Sequence, residues 1–209
     1  MATVAQLENR VAERRQALGE GHADTLSAML DLAEGLWAEG RVVAARRIEE
    51  AVVAGRRSLH GDGHPDTLKA LGKLAVTVGQ QGDLAEARRL QEAVVSGMRA
   101  LYGAKARDTL RAVNNLAGTV AAMGDFAAAR ALLDETIGTL VEAFGEDDGD
   151  ALTAMGNLAA LLWQEGEYED AFTLQEQVAA ALRRTRGADD PVAQTAQAVL
   201  DSMLREIGF

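Results

Sequence analysis

His60-Gly61-Asp62-Gly63-His64-Pro65-Asp66 gathers two imidazoles and two carboxylates into seven residues. Histidine with aspartate close by is metal-ligand chemistry. Ligands at suitable spacing are too few for a metal centre, and His22 holds the same place 42 residues before His64. The expected role is turn chemistry ahead of a capped helix, with no metal site. The acidic run Glu146-Asp147-Asp148-Gly149-Asp150 lacks the ligand spacing of a calcium loop and reads as a solvated, helix-capping turn. Ser27, Ser58, Ser96 and Ser202 have no evident base, and the sequence contains no cysteine. No glycine-rich phosphate loop follows a strand pattern. No catalytic residues and no cofactor are expected.

The elements that would position any site are written in a period of 42. Gly19, Gly61, Gly103, Gly145 and Gly187 stand at that interval, as do Gly40, Gly82, Gly124, Gly166 and Gly208. In the second unit Leu68, Leu71, Leu74, Ala75 and Val78 recur at helical spacing and form one apolar stripe. Asp66 precedes the stripe and suits an N-cap, with Pro65 just outside the helix. Gly82 ends this helix A, and Asp83 opens helix B, which packs through Leu84, Ala87, Leu90, Val94 and Leu101. Ala33, Ala75, Ala117 and Ala159 fill one helix-A position, and Ala45, Ala87, Ala129 and Ala171 one helix-B position. Small residues repeated so let stacked helices approach closely.

The expected fold is all-α, a right-handed α-solenoid of about ten helices forming one array over 1–209. An N-terminal half repeat (1–19) precedes full repeats at 20–61, 62–103, 104–145 and 146–187. A C-terminal helix (188–209) turns polar at Gln194, Gln197 and Asp201, which reads as a cap. In the first helix Val4, Leu7 and Val11 stay apolar, which suggests self-association through end helices.

Composition narrows the function classes. The chain is 48% hydrophobic, only 4% aromatic, and carries a net charge of −11. That balance opposes nucleic-acid binding, which needs basic residues to displace counterions. No apolar run reaches the ~18 residues of a membrane span, and the start lacks the apolar centre of a signal peptide. A cytoplasmic protein with no membrane partner is expected.

Gly63-His64-Pro65-Asp66-Thr67-Leu68, Asn114-Asn115-Leu116-Ala117 and Gly124-Asp125-Phe126 with Ala129 resemble the tetratricopeptide repeat in its 42-residue, kinesin-light-chain-like form. The resemblance implies that A helices line a concave groove and that helix-A asparagines hold a peptide backbone. Asn114, Asn115 and Asn157 match those asparagines, whereas Asp31 and Lys73 replace them in the first two units.

Groove positions transferred on that basis are Glu34, Trp37, Lys69, Gly72, Lys73, Val76, Gly79, Gln80, Arg111, Gly118, Gly156 and Trp163, besides the asparagines. Trp37 and Trp163 share one repeat position. Lys69, Lys73 and Arg111 bring positive charge into an acidic protein. Glycines inside helices cost about 0.5–1 kcal/mol each against alanine, and several on one face suggest that something approaches the backbone there. The expected function is a non-catalytic scaffold or adaptor gripping a protein or peptide segment, one with an acidic or C-terminal carboxylate group. Two alternatives stay open: a regulatory or sensor module of a larger signalling system, and a small-molecule binder or atypical enzyme using the groove.

Overall fold

The structure is a computed structural model that describes residues 2–207, the side chain of Ile207 excepted. Every regular element among these residues is a helix. In order they are α1 (Val4–Leu18), α2 (Ala23–Ala38), α3 (Val42–His60), α4 (Pro65–Gln80), α5 (Leu84–Tyr102), α6 (Arg107–Ala122), α7 (Phe126–Phe144), α8 (Gly149–Glu165), α9 (Tyr168–Arg186) and α10 (Pro191–Ile207). This is the all-α, solenoid-class chain that the period predicts. The even-numbered helices are the A helices and the others the B helices. None is long and apolar enough to cross a membrane.

The helices form two compact units, Met1–Ala112 and Val113–Phe209, whose boundary falls inside α6. In the first unit α1 packs on α2, α2 on α3, α3 on α4 and α4 on α5. In the second, α7 packs on α8, α8 on α9 and α9 on α10. Contacts thus run between sequence neighbours, as a repeat stack requires.

The invariant alanines are the tightest points. Ala33, Ala45, Ala75, Ala87, Ala117, Ala129, Ala159 and Ala171 are all fully buried. Two glycines one period apart, Gly55 and Gly97, carry the same logic further. A Cβ on Gly55 would meet Leu26 at 2.7 Å, and one on Gly97 would meet Leu68 at 2.6 Å. Leu26 and Leu68 are equivalent helix-A leucines, each seated on a bare stretch of the following B helix.

The glycine ladder ends helices as expected, with Gly208 outside the described residues. Its two series differ in conformation. Gly103 closes α5 with φ 89 and ψ 164, backbone essentially restricted to glycine, while its amide donates to Arg99 O. Gly166 closes α8 in the left-handed region, with φ 85 and ψ 8. The carbonyls of Gly19 and Gly103 accept the hydroxyls of Thr25 and Thr109 at 2.8 Å, which fastens each turn to the A helix that follows.

The start of the A helices differs from the sequence reading. Asp66 is not the N-cap: α4 begins at Pro65, and His64 caps it by accepting the Asp66 amide on Nδ1 at 3.2 Å. His22 does the same for Asp24. Asp148 takes this position in α8, accepting from Asp150 and Ala151, and Asp190 takes it ahead of α10. Asp24, Asp66, Asp108 and Asp150 lie one step inside, where a carboxylate favours the positive end of the helix dipole. Asp83 does cap α5, accepting from Glu86.

The apolar residues of α1 do not face outward. Val4, Leu7 and Val11 are buried, and Leu7 lies against Gly35 of α2. The rest of α1 is exposed and largely charged or polar. At the other end, Arg183 donates to Gln197, which donates to Asp201 at 2.9 Å. This polar chain is exposed.

Candidate functional site

Among the described residues, side-chain contacts join successive A helices at positions expected to line the groove. In the first unit Lys73 of α4 pairs with Glu34 of α2. In the second, Asn157 of α8 donates to Asn114 of α6 at 3.0 Å, and the Trp163 indole of α8 donates to Glu206 of α10 at 3.2 Å. Within each unit the A helices therefore stand side by side and share a surface.

In the first unit that surface carries Trp37, 38% exposed, and Val76, 41% exposed. Apolar side chains of this size left open to water supply most of the gain available to an arriving partner. Gly72 has open space where its Cβ would stand. Gly79 does not belong with it: its Cβ would stand in ordinary van der Waals contact with Ala87 of α5, at 3.4 Å. Lys69, Gln80 and Arg111 are exposed. Arg111 lies 3.7 Å from Asp108. Glu34 is itself among the expected groove residues, so the Glu34–Lys73 pair cancels part of the expected positive charge.

In the second unit Gly118 and Gly156 have open space at the Cβ position. Asn115 and Asn157 are exposed, but Asn114 is buried and spends its side-chain oxygen on Asn157. Trp163 is half-buried and packs edge-on against Tyr168, with ring centroids 4.8 Å apart. The two tryptophans therefore differ: Trp163 is held by neighbours on two helices, whereas Trp37 is the more open ring.

Beneath the first-unit surface lies a residue the sequence reading passed over. Glu49 of α3 is only 4% exposed, and its Oε2 has no hydrogen-bond partner. Burial raises its pKa, opposed by a bond from Thr77 and the charge of Lys73, and assisted by the charges of Glu34 and Glu50. The equivalent positions hold Gln91, Leu133 and Gln175. Gln175 donates to the Ala196 carbonyl at 2.8 Å, whereas Gln91 Oε1, like Glu49 Oε2, is buried without a partner; an amide at this position avoids burying a charge. Aligning the units at 42 residues was the available signal.

A metal-competent group also appears. His60, His64 and Asp66 bring one ligand atom each within 4.8 Å of one another.

The tetratricopeptide repeat model matches residues 24–100, 73–139 and 108–184, and the chain belongs to the tetratricopeptide repeat family. Among solved structures it is similar to a Podosopora anserina protein designated a kinesin light chain, with nearly identical TPR-like repeats. Identity is 27%, coverage 88% of this chain and 86% of that one, and the TM-score 0.73. BtubC (BKLC) from P. vanneervenii is 18% identical, with 99% and 83% covered and a TM-score of 0.76. A Rap protein complexed with competence and sporulation factor is 13% identical, with 97% and 60% covered and a TM-score of 0.70. The last two share the fold. No curated protein matches this chain. The fold is of a kind that typically serves as an interaction scaffold.

Proposed function

We propose that each unit of this protein binds an extended segment of another protein along the face that its own A helices share. The observation that carries this reading is the placement of Gly72, Gly118 and Gly156. Each lies inside a helix, where glycine lowers stability, and each has open space where a side chain would stand. Packing gives no reason for them, whereas an approaching backbone does. In the first unit Trp37 and Val76 supply exposed apolar area, and Lys69 and Arg111 favour a segment with carboxylates. Asn115 and Asn157 offer amides suited to peptide groups. Self-association through α1 draws less support, because its exposed face is polar.

Selection of displayed random peptides on the immobilised protein tests the proposal. Enriched sequences should bind in solution and lose affinity to a Gly72→Arg/Gly118→Arg/Gly156→Arg variant that melts as the parent does. Failure to enrich any peptide, or equal binding to that variant, would sink it.

A further inference from the structure

We propose that His60, His64 and Asp66 form a binding site for one divalent transition-metal ion of the zinc class. It is separate from the A-helix face and does not rest on the peptide-binding reading. The three side chains come from the two ends of one turn. His60 is the last residue of α3, and His64 and Asp66 flank Pro65 at the start of α4. The imidazoles stack with centroids 4.2 Å apart and planes inclined by 23°. One ligand atom from each residue falls within 4.8 Å of the others.

Ligands around a tetrahedral zinc with bonds of about 2.0–2.1 Å stand roughly 3.3 Å apart. The group must therefore contract by rather more than 1 Å. Side-chain rotation can supply this, because His60 is exposed and the other two are half-buried.

Chemistry also favours the set. His64 Nδ1 accepts the Asp66 amide, so that nitrogen presents a lone pair and not a proton. It also lies 4.0 Å from the Asp66 carboxylate. Arg56 binds Asp66 Oδ2 at 2.9 Å, which orients the carboxylate and leaves Oδ1 for an ion. Ligating carboxylates commonly have such an outer partner. An ion at Nδ1 replaces the amide hydrogen there, so binding competes with the cap of α4. Three protein ligands leave a fourth position for water.

The repeat itself supplies the controls. Positions equivalent to His60 and His64 pair Leu18 with His22, Tyr102 with Ala106, Phe144 with Asp148 and Arg186 with Asp190. Only the turn between α3 and α4 brings two imidazoles together, so a single ion per chain is required. Elsewhere the first member of the pair is most often an exposed apolar or aromatic side chain, here Leu18, Tyr102 and Phe144. His60→Tyr keeps the ring and removes the ligand. His64→Asn keeps a side-chain acceptor for the cap and removes the imidazole.

The untagged, metal-free protein is titrated with zinc chloride by calorimetry and with cobalt chloride by visible absorption. The expected result is saturable binding of one ion per chain, weakened about tenfold or more in His60→Tyr and in His64→Asn. His22→Asn should bind as the parent does. Thermal melts without metal verify that each variant is folded. No saturable binding by the parent, or equal affinity in His60→Tyr, overturns the proposal.

Discussion

Lys73 of α4 pairs with Glu34 of α2, so two charges of opposite sign on the candidate binding face already satisfy each other. An acidic partner must compete with Glu34 for the ammonium. Glu34→Gln should therefore tighten binding of a selected acidic peptide by a factor of about two to five, the scale of an exposed ion pair. Lys73→Glu/Arg111→Glu should abolish it. Titration of a fluorescently labelled peptide measures both, and unchanged affinity in the double variant removes the electrostatic part of the reading.

Glu49 should make stability depend on pH in a defined direction. Its folded-state pKa is raised, chiefly by burial, so the folded protein binds the proton more readily than the unfolded chain. Stability attributable to this group is highest below the ordinary carboxylate value of about 4.3. It falls as pH rises from there through the raised value. Glu49→Gln removes the dependence and gives position 49 the amide found at Gln175. The variant should gain about 1 kcal/mol at neutral pH and lose that advantage in acid. Urea unfolding at several pH values measures the difference; an advantage that grows on acidification contradicts it.

The helix-interior glycines should separate into two classes. Gly97→Ala forces a Cβ to within 2.6 Å of Leu68 and should cost about 1–3 kcal/mol. Gly72→Ala meets nothing within 4 Å and should stabilise by about 0.5–1 kcal/mol. If a backbone docks above Gly72, that same stabilised variant binds its peptide more weakly. Denaturant titration and peptide binding on the same samples decide both points.

Ala106 occupies the N-cap position of the third full repeat and has no side-chain acceptor. Ala106→Asp copies Asp148 and Asp190 and should stabilise the protein by about 1 kcal/mol. A melting temperature at or below that of the parent would show that the start of α6 gains nothing from a side-chain cap.

Periodicity made the fold legible before the structure: the alanines, the leucine stripe and the glycines at the turns follow it closely. It misled at the A-helix starts for the same reason. Aspartate recurs at 24, 66, 108 and 150 and draws attention, whereas the cap position varies among His22, His64, Ala106, Asp148 and Asp190. On the candidate face, Trp37 is exposed and Gly72, Gly118 and Gly156 have open space at the Cβ position. A helical wheel alone could not show that Gly79 turns toward α5, that Asn114 is buried, or that Lys73 is paired. Those outcomes depend on how closely a neighbouring helix approaches.

The seating of Leu26 on Gly55 and of Leu68 on Gly97 limits how freely the 42-residue units can be exchanged. Where the first two units have glycine, the third and fourth have Thr139 and Ala181. A chimera cut inside a unit that sets the third unit's B helix behind Leu26 would put a branched side chain within 3 Å of that leucine's methyl groups and force it to shift. Cuts at the turns, which move each leucine together with its own bare helix, keep the match. The chain is thus less modular than its period suggests: whole hairpins are its units of exchange, and single helices are not.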